Sequence, residues 1–210
     1  MKGQEDLLLI VDVQNDFMPG GALAVPRGDD IVPIANRLAT GFEHVVLTQD
    51  WHPRDHVSFA ANHDGRRPFE TIALAYGEQV LWPVHCVQGT PGAAFHAGLD
   101  AAHARLVIRK GYRRAIDSYS AFVEADRRTP TGLAGYLRDV GVKRVWCCGL
   151  ATDYCVAWSA LDAREAGFDV VLIEDACRAI DLDGSLERAL RQLSEAGVVR
   201  MNAEQAMAPA

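Results

Sequence analysis

The sequence lacks the features of membrane, secreted and nucleic-acid-binding proteins. No segment approaches the roughly 18 consecutive apolar residues that a membrane-spanning helix needs, and residues 1–6 contain no signal-peptide apolar core. The formal net charge of −7 provides no electrostatic attraction toward nucleic acid or an anionic membrane. We therefore expect a cytoplasmic protein with no nucleic-acid or membrane partner.

Cysteine is also sparse. The 210 residues include 5 cysteines, an odd number, and they lie in or beside apolar segments with no Cys-x-x-Cys pair. This pattern favours reduced thiols over a disulfide framework or a structural zinc site. The chain is long enough to bury a sizeable core in one unit, so we predict a single domain over residues 1–203 and a loose tail over residues 204–210.

Short apolar runs alternate with helical patterns along the chain. Residues 7–11 form a continuous apolar run, which is typical of a strand buried on both faces of a parallel sheet. Similar runs predict strands at residues 45–47, 106–108, 145–148, 170–173 and 198–201, and helical spacing predicts helices over residues 31–38, near 69–76, over 131–140, from 155 and from 183. The alternation predicts an α/β fold with an open, mostly parallel, Rossmann-like sheet of about six strands and helices on both faces.

Chemically capable side chains follow several of these predicted strands. The ligand site of such a sheet lies beyond the carboxyl ends of its strands. Cys155 comes just after one strand end and behind Thr152 and Asp153, two residues that favour helix N-caps. A helix N-terminus favours the thiolate form of cysteine, and its amides can hold a developing oxyanion. Each residue alone has an ordinary structural explanation, but four fall on one edge of the predicted sheet: Asp12, Asp50, Lys110 and Cys155.

Histidines concentrate in the long connection between Asp50 and Arg105, which has no strong strand pattern. Connections of this length are usually functional. Carboxylate and imidazole ligands suit zinc, iron or manganese, and a thiolate ligand from Cys86 stays open. The predicted ligands of one divalent metal ion are Asp50, His52, His56 and His85, whereas His63, His96 and His103 fit a solvated surface.

Six stretches together resemble the nicotinamidases of the isochorismatase-like cysteine hydrolase family. The resemblance runs from about Leu7 to Val199. It is carried by Val-Asp-Val-Gln-Asn-Asp-Phe at 11–17, Thr-Gln-Asp-Trp-His at 48–52, Trp-Pro-Val-His-Cys at 82–86, Lys-Gly at 110–111, Asp-Ser-Tyr-Ser-Ala-Phe at 117–122 and Gly-Leu-Ala-Thr-Asp-Tyr-Cys-Val at 149–156.

This resemblance implies hydrolysis of nicotinamide, with pyrazinamide as an alternative substrate, through a cysteine thioester. It implies that Asp12, Lys110 and Cys155 form the catalytic triad, that the amides of Ala151 and Cys155 bind the oxyanion, and that the Leu150–Ala151 peptide is cis. A zinc ion, with iron or manganese as alternatives, would orient the pyridine ring. The substrate-binding residues would be Phe17, Trp82, Tyr119 and Leu150, and a homo-oligomer stays open.

Two other classes of function remain compatible with the same residues. The first is a related amide hydrolase acting on a carbamoyl amide or a ureide, which would share the triad but has no need of the Asp50–His85 metal ligands. The second is a non-catalytic α/β module that binds, senses or stores a metal. Amidase activity separates the second class from an enzyme.

Overall fold

One six-stranded sheet organises the computed structural model, which describes residues 2–208. The strands are β1 (Asp6–Val11), β2 (His44–Asp50), β3 (Thr71–Leu74), β4 (Gly77–Val80), β5 (Leu106–Lys110), β6 (Arg144–Leu150), β7 (Asp169–Arg178) and β8 (Val199–Met201). The α-helices are α1 (Val32–Ala39), α2 (Leu133–Asp139), α3 (Ala157–Glu165), α4 (Ser185–Glu195) and α5 (Ala203–Met207).

The main sheet is parallel throughout and has the order β5-β2-β1-β6-β7-β8. If its strands alone are numbered along the chain, this order is 3-2-1-4-5-6, the doubly wound arrangement. The predicted fold class is therefore confirmed. The strand order reverses between β1 and β6, and ligands bind in the crevice beyond the carboxyl ends of strands at such a point.

The central strands are buried because both of their faces are covered. Residues 7–11 of β1 are each at most 1% exposed, and every residue of β2 is buried. No helix within residues 2–208 combines the length and hydrophobicity that crossing a bilayer requires.

The predicted helix near residues 69–76 is wrong. The segment instead forms an antiparallel hairpin from β3 and β4, which pair Thr71 with Val80 and Leu74 with Gly77. Gly77 has a positive φ of 129°, a conformation that glycine adopts without a steric penalty. The chain reverses direction at this glycine, so no helix can run through the segment.

Two helix starts also differ from the prediction. Residues Thr152–Val156 form a π-helical turn, and α3 begins only at Ala157. Neither Thr152 nor Asp153 caps this turn through its side chain. The Asp153 carboxylate instead accepts hydrogen bonds from Ile180, Asp181 and Ser185. Helix α4 starts at Ser185 because Asp183 has a left-handed φ of 50°.

The predicted loose tail is wrong for residues 204–207, which belong to α5; residues 209–210 lie outside the described residues. Asn202 and Gln205 form a reciprocal capping box at the start of this helix. The amide of Ala203 donates to Asp175 at 2.7 Å, and Ala203 and Ala206 are fully buried. The helix is therefore packed against the domain.

Candidate active site

The four predicted strand-end residues meet at the crevice between β1 and β6. Asp12 directly follows β1, Asp50 ends β2, Lys110 ends β5 and Cys155 lies in the turn after β6. All four side chains are buried, with residue exposures of 0 to 6%. Parallel pairing places these strand ends side by side, so residues far apart in sequence become neighbours.

The Lys110 ammonium lies at the centre of this group. Its Nζ is 2.7 Å from Oδ2 of Asp12 and 3.2 Å from Sγ of Cys155, and it also donates to Oδ1 of Asp50. Burial alone would lower the pKa of Lys110, but the two carboxylates raise it well above its usual value. The lysine therefore stays charged and links the thiol to both acids.

Asp12 is held by the neighbouring strand. Its backbone has a left-handed φ of 50°, its amide donates to Oγ1 of Thr48 at 3.1 Å, and that hydroxyl donates to Oδ1 of Asp12 at 2.6 Å. Burial raises the pKa of Asp12, against the opposing effect of Lys110. One carboxylate oxygen of Asp12 lies within 4.8 Å of Sγ of Cys155, so a small rearrangement brings the carboxylate and the thiol into hydrogen-bond reach.

Cys155 is carried by a sharply bent connection. The Leu150–Ala151 peptide is cis, as the resemblance implies. Gly149 has a φ of +122°, and a Cβ there would overlap the Val11 backbone. The absence of a side chain at Gly149 allows β6 to lie close to β1 just before the chain reaches Cys155.

The expectation of a lowered thiol pKa for Cys155 is wrong. Full burial raises this pKa well above its usual value, although the Lys110 ammonium acts in the opposite direction. Desolvation disfavours the thiolate more than the nearby cation favours it. Cys155 is therefore a thiol in the resting protein.

Three of the four predicted metal ligands converge. Oδ2 of Asp50 lies 3.5 Å from Nε2 of His52 and 3.8 Å from Nε2 of His85. Two ligands with bonds of about 2.0–2.1 Å to one tetrahedral ion would be about 3.4 Å apart, so these separations fit a shared ion. Asp50 is ready to act as a ligand because, although burial alone would raise its pKa, Lys110 and His52 hold that pKa well below its usual value.

Both ligand imidazoles are oriented by backbone carbonyls. Nδ1 of His52 lies 2.8 Å from the Gly111 oxygen, and Nδ1 of His85 lies 2.8 Å from the Pro83 oxygen. Because a carbonyl only accepts, each Nδ1 carries the proton and each Nε2 keeps a lone pair for a metal ion. A Cβ at Gly111 would overlap the His52 ring, so glycine is required for this contact.

His56 lies outside that three-residue cluster but belongs to a second metal-capable group, in which ligand atoms of His52, His56 and Asp117 lie within 4.8 Å of one another. Its ring centroid is 4.3 Å from that of His52, but its Nε2 lies 3.2 Å from the Ile116 carbonyl and its Nδ1 lies 2.7 Å from Oγ of Ser58. Burial lowers the pKa of His56 to about 4, so the ring is neutral. Both nitrogens are thus occupied by protein partners. The open alternative Cys86 belongs to none of the metal-capable groups found among the described residues.

A cavity with about 350 Å³ of space between its lining atoms, part of it open to solvent, adjoins Cys155 and the three ligands. Phe17, Trp82 and Tyr119 line it as predicted, whereas Leu150 does not; its side chain is fully buried and packs toward Gly28. Trp82 donates from Nε1 to the Tyr119 hydroxyl at 2.9 Å, which fixes both aromatic rings. Four further lining residues were not predicted: Leu23, Asp117, Tyr154 and Ile180.

The sequence contains only weak signals for these four additional lining residues. Asp117 lies in a stretch that carries the resemblance, and Tyr154 directly precedes Cys155. Ile180 follows the carboxyl end of β7, the edge where the ligand site is expected. Leu23 belongs to an irregular loop, and no pattern in the sequence places that loop over the cavity.

The chain is similar to known proteins over nearly its whole length. The isochorismatase domain matches residues 6–205. A nicotinamidase from Acinetobacter baylyi is 57% identical over 195 residues, which are 93% of this chain and 91% of that protein. A solved nicotinamidase and pyrazinamidase structure from Acinetobacter baumanii is also 57% identical, with a TM-score of 0.97 over 98% of this chain and 100% of that one.

Two further solved relatives contain bound groups. A protein from L. infantum in complex with nicotinate is 42% identical, with a TM-score of 0.85 over 96% of this chain and 95% of its own. A pyrazinamidase from Pyrococcus horikoshii in complex with zinc is 40% identical, with a TM-score of 0.77 over 94% of this chain and 99% of its own.

Proposed function

The chain belongs to the isochorismatase family, and from this premise and the site geometry we propose that it is an amidohydrolase that cleaves nicotinamide to nicotinate and ammonia. The observation that carries the proposal is the Lys110 ammonium, which contacts a thiol and a carboxylate beside a flat-walled cavity. The same lysine contacts Asp50, whose other oxygen faces two imidazoles. A carboxamide on a pyridine ring fits this arrangement, because the carboxamide can face Cys155 while the ring nitrogen faces Asp50 and the two imidazoles.

The first half-reaction forms a thioester. Asp12 takes the Cys155 proton as sulfur bonds to the carboxamide carbon, and the carbonyl electron pair moves onto oxygen. The amides of Ala151 and Cys155 receive this oxyanion; each such donor typically lowers the barrier by about 3 kcal/mol. The Ala151 amide suits this role because, among the hydrogen bonds of the described residues, it donates none and the residue lines the cavity.

The thioester is complete when the tetrahedral intermediate collapses: the C–N bond breaks, and protonated Asp12 returns its proton to the departing nitrogen, which leaves as ammonia. In the second half-reaction, Asp12 takes a proton from the water that attacks the thioester carbon. The C–S bond then breaks, Asp12 returns this proton to sulfur to restore the thiol, and the released acid loses its own proton to solvent as nicotinate.

The metal ion would be held by Asp50, His52 and His85. When bound, a divalent ion supplies a Lewis-acidic position for the pyridine nitrogen, directly or through water. The protein orients the ring through Phe17 and Trp82, which line the cavity beside these ligands. Zinc suits the ligand set, and iron and manganese accept the same ligands.

Ammonia release from nicotinamide tests the proposed function. We expect the purified protein to form ammonia and nicotinate in equal amounts, to act on pyrazinamide as well, and to act far more slowly on carbamoyl amides and ureides, which carry no ring nitrogen for the metal. Faster turnover of an N-carbamoyl amide than of nicotinamide would favour the related hydrolase. Metal binding without turnover of any amide would favour a binding module.

A pair of histidine variants tests the metal ligands. His85→Ala removes one member of the cluster, so we expect at least about a tenfold loss of metal affinity, measured as metal content after dialysis. His56→Gln should retain its metal because both nitrogens of His56 already contact Ser58 and Ile116. An equal loss of metal in both variants would make His56 a ligand, as the resemblance implies.

A cytoplasmic location is part of the same proposal. All five cysteines are buried free thiols, which suits a reducing compartment. The oligomeric state stays a prediction that sedimentation of the purified protein would decide.

A further inference from the structure

Asp153 lies inside the nucleophile turn, yet its side chain faces away from the reacting atoms. It is 6% exposed and stands between Ala151 and Cys155 in sequence. Its Oδ1 accepts the Ile180 amide at 3.1 Å, and its Oδ2 accepts the Asp181 amide at 2.8 Å and the Ser185 hydroxyl at 2.5 Å. One buried carboxylate thus receives two donors from the segment that joins β7 to α4 and a third from the first residue of α4.

That joining segment has little regular structure of its own. Asp181, Asp183 and Gly184 have left-handed φ values of 56°, 50° and 75°, and the segment forms only one 3-10 turn, at Leu182–Gly184. Partly buried amides in such a segment need an acceptor from elsewhere. Asp153 supplies the acceptor for two consecutive amides.

The segment matters because it forms one wall of the cavity. Ile180 lines the cavity together with Cys155, Tyr154 and Phe17. Its own amide is one of the three donors to Asp153. The position of this wall relative to the nucleophile is therefore set by a contact within the nucleophile turn itself.

We propose that Asp153 is a positioning residue for substrate selection. By holding Ile180 to the turn that carries Cys155, it sets the width of the cavity and restricts the substrates to small, flat aromatic carboxamides. The proposal rests on the proposed function for its substrate class. Asp153 acts only through the wall residue and touches no reacting atom.

Asp153→Asn keeps the size of the side chain but presents an NH2 group to at least one of the three donors. We expect the KM for nicotinamide to rise about tenfold because one amide loses its acceptor and the wall loosens, while kcat changes by less than about threefold. The preference for nicotinamide over 5-methylnicotinamide, measured as the ratio of the two kcat/KM values, should fall by a similar factor.

Ile180→Ala provides the matched comparison. It removes the wall side chain and leaves all three hydrogen bonds to Asp153 in place, so it should reproduce the change in KM and selectivity. The double variant should show much less than the sum of the two effects, because both act on one element. Additive effects, or a fall in kcat without a change in KM, would overturn the assignment and indicate that Asp153 acts on the oxyanion-binding turn.

Amide hydrogen exchange separates this proposal from the proposed function. In Asp153→Asn the amides of Ile180 and Asp181 should exchange at least about tenfold faster than in the parent, and unchanged exchange would overturn the proposal. If Asp153→Asn fails to fold, Ser185→Ala removes one donor from the other side and should shift KM in the same direction. A parent protein with no activity on nicotinamide overturns the proposed function, while the exchange rates still decide whether Asp153 holds the loop.

Discussion

Replacing Cys155 with alanine is expected to lower kcat for ammonia release from nicotinamide by a factor on the order of 10⁴ to 10⁶. The thioester route needs a nucleophile, and no other thiol of the described residues belongs to the cluster around Lys110. The cavity walls and the oxyanion-binding amides remain, so substrate still binds in the same orientation. Steady-state ammonia release by parent and variant measures the effect.

A neighbouring cysteine supplies the control. Cys148 is fully buried on β6 but forms no contact with Lys110, so Cys148→Ala should retain kcat within a few-fold and lose only some stability from the small cavity. The Cys155→Ala variant should still bind nicotinate with near-parental affinity by calorimetry. Activity above about 1% of the parental value in Cys155→Ala would contradict the nucleophile role.

The acidic and basic groups of the site were predictable because their positions follow from topology. A continuous apolar run predicts a parallel strand, and the residue after such a run lies at the sheet edge where ligands bind. Loop conformation does not enter this prediction. Asp12, Asp50, Lys110 and Cys155 all follow or end such runs, and their proximity in space follows from the parallel register.

The cavity walls were less predictable because they depend on loop packing and on local register. Leu150 was expected to face the substrate, but the pairing of β6 with β7 shifts between Cys147 and Gly149. Such an irregularity disrupts the alternation of side chains between the two faces of a sheet. Ile180 belongs to an irregular loop whose amides bind Asp153, and such contacts leave no periodic signal in the sequence.

The electrostatics of the site were also only partly predictable. The position of Cys155 near a helix start suggested a lowered pKa, but the degree of burial decides the direction and depends on the whole fold. The C-terminal helix is a different case, because the Asn202–Gln205 capping box is visible in the sequence. The three-residue separation of Asn202 and Gln205 marks a helix start inside the segment that was predicted as a tail.

Replacing Lys110 with methionine is expected to reduce both activity and stability strongly. The side chain is fully buried, and it is the cation shared by Asp12 and Asp50. Methionine fills similar space but leaves two buried carboxylates without their partner, which should lower the free energy of unfolding by about 3–5 kcal/mol. We also expect kcat to fall by at least about 10³, because the thiolate and the general base lose the charge that stabilises them.

Lys143 is the matched control for this change. It pairs with Glu5 at the surface with 70% of its side chain exposed, so Lys143→Met should change the free energy of unfolding by at most about 1 kcal/mol. Urea unfolding of both variants gives the comparison. A loss in Lys110→Met no larger than that in Lys143→Met would contradict the role of Lys110 as the charge that holds the two acids together.

The pH dependence of the free energy of unfolding separates the stabilising role of Lys110 from its catalytic role. Burial already raises the pKa of Asp12 in the folded protein, and Lys110 opposes that rise, so its removal raises this pKa further. A raised pKa in the folded state makes stability greatest at low pH and decreases it as pH rises through that pKa. The stability deficit of Lys110→Met should therefore be larger at pH 8 than at pH 5, and Asp12→Asn in the same chain should reduce the deficit without restoring activity. A deficit independent of pH would indicate lost packing instead of an unpaired charge.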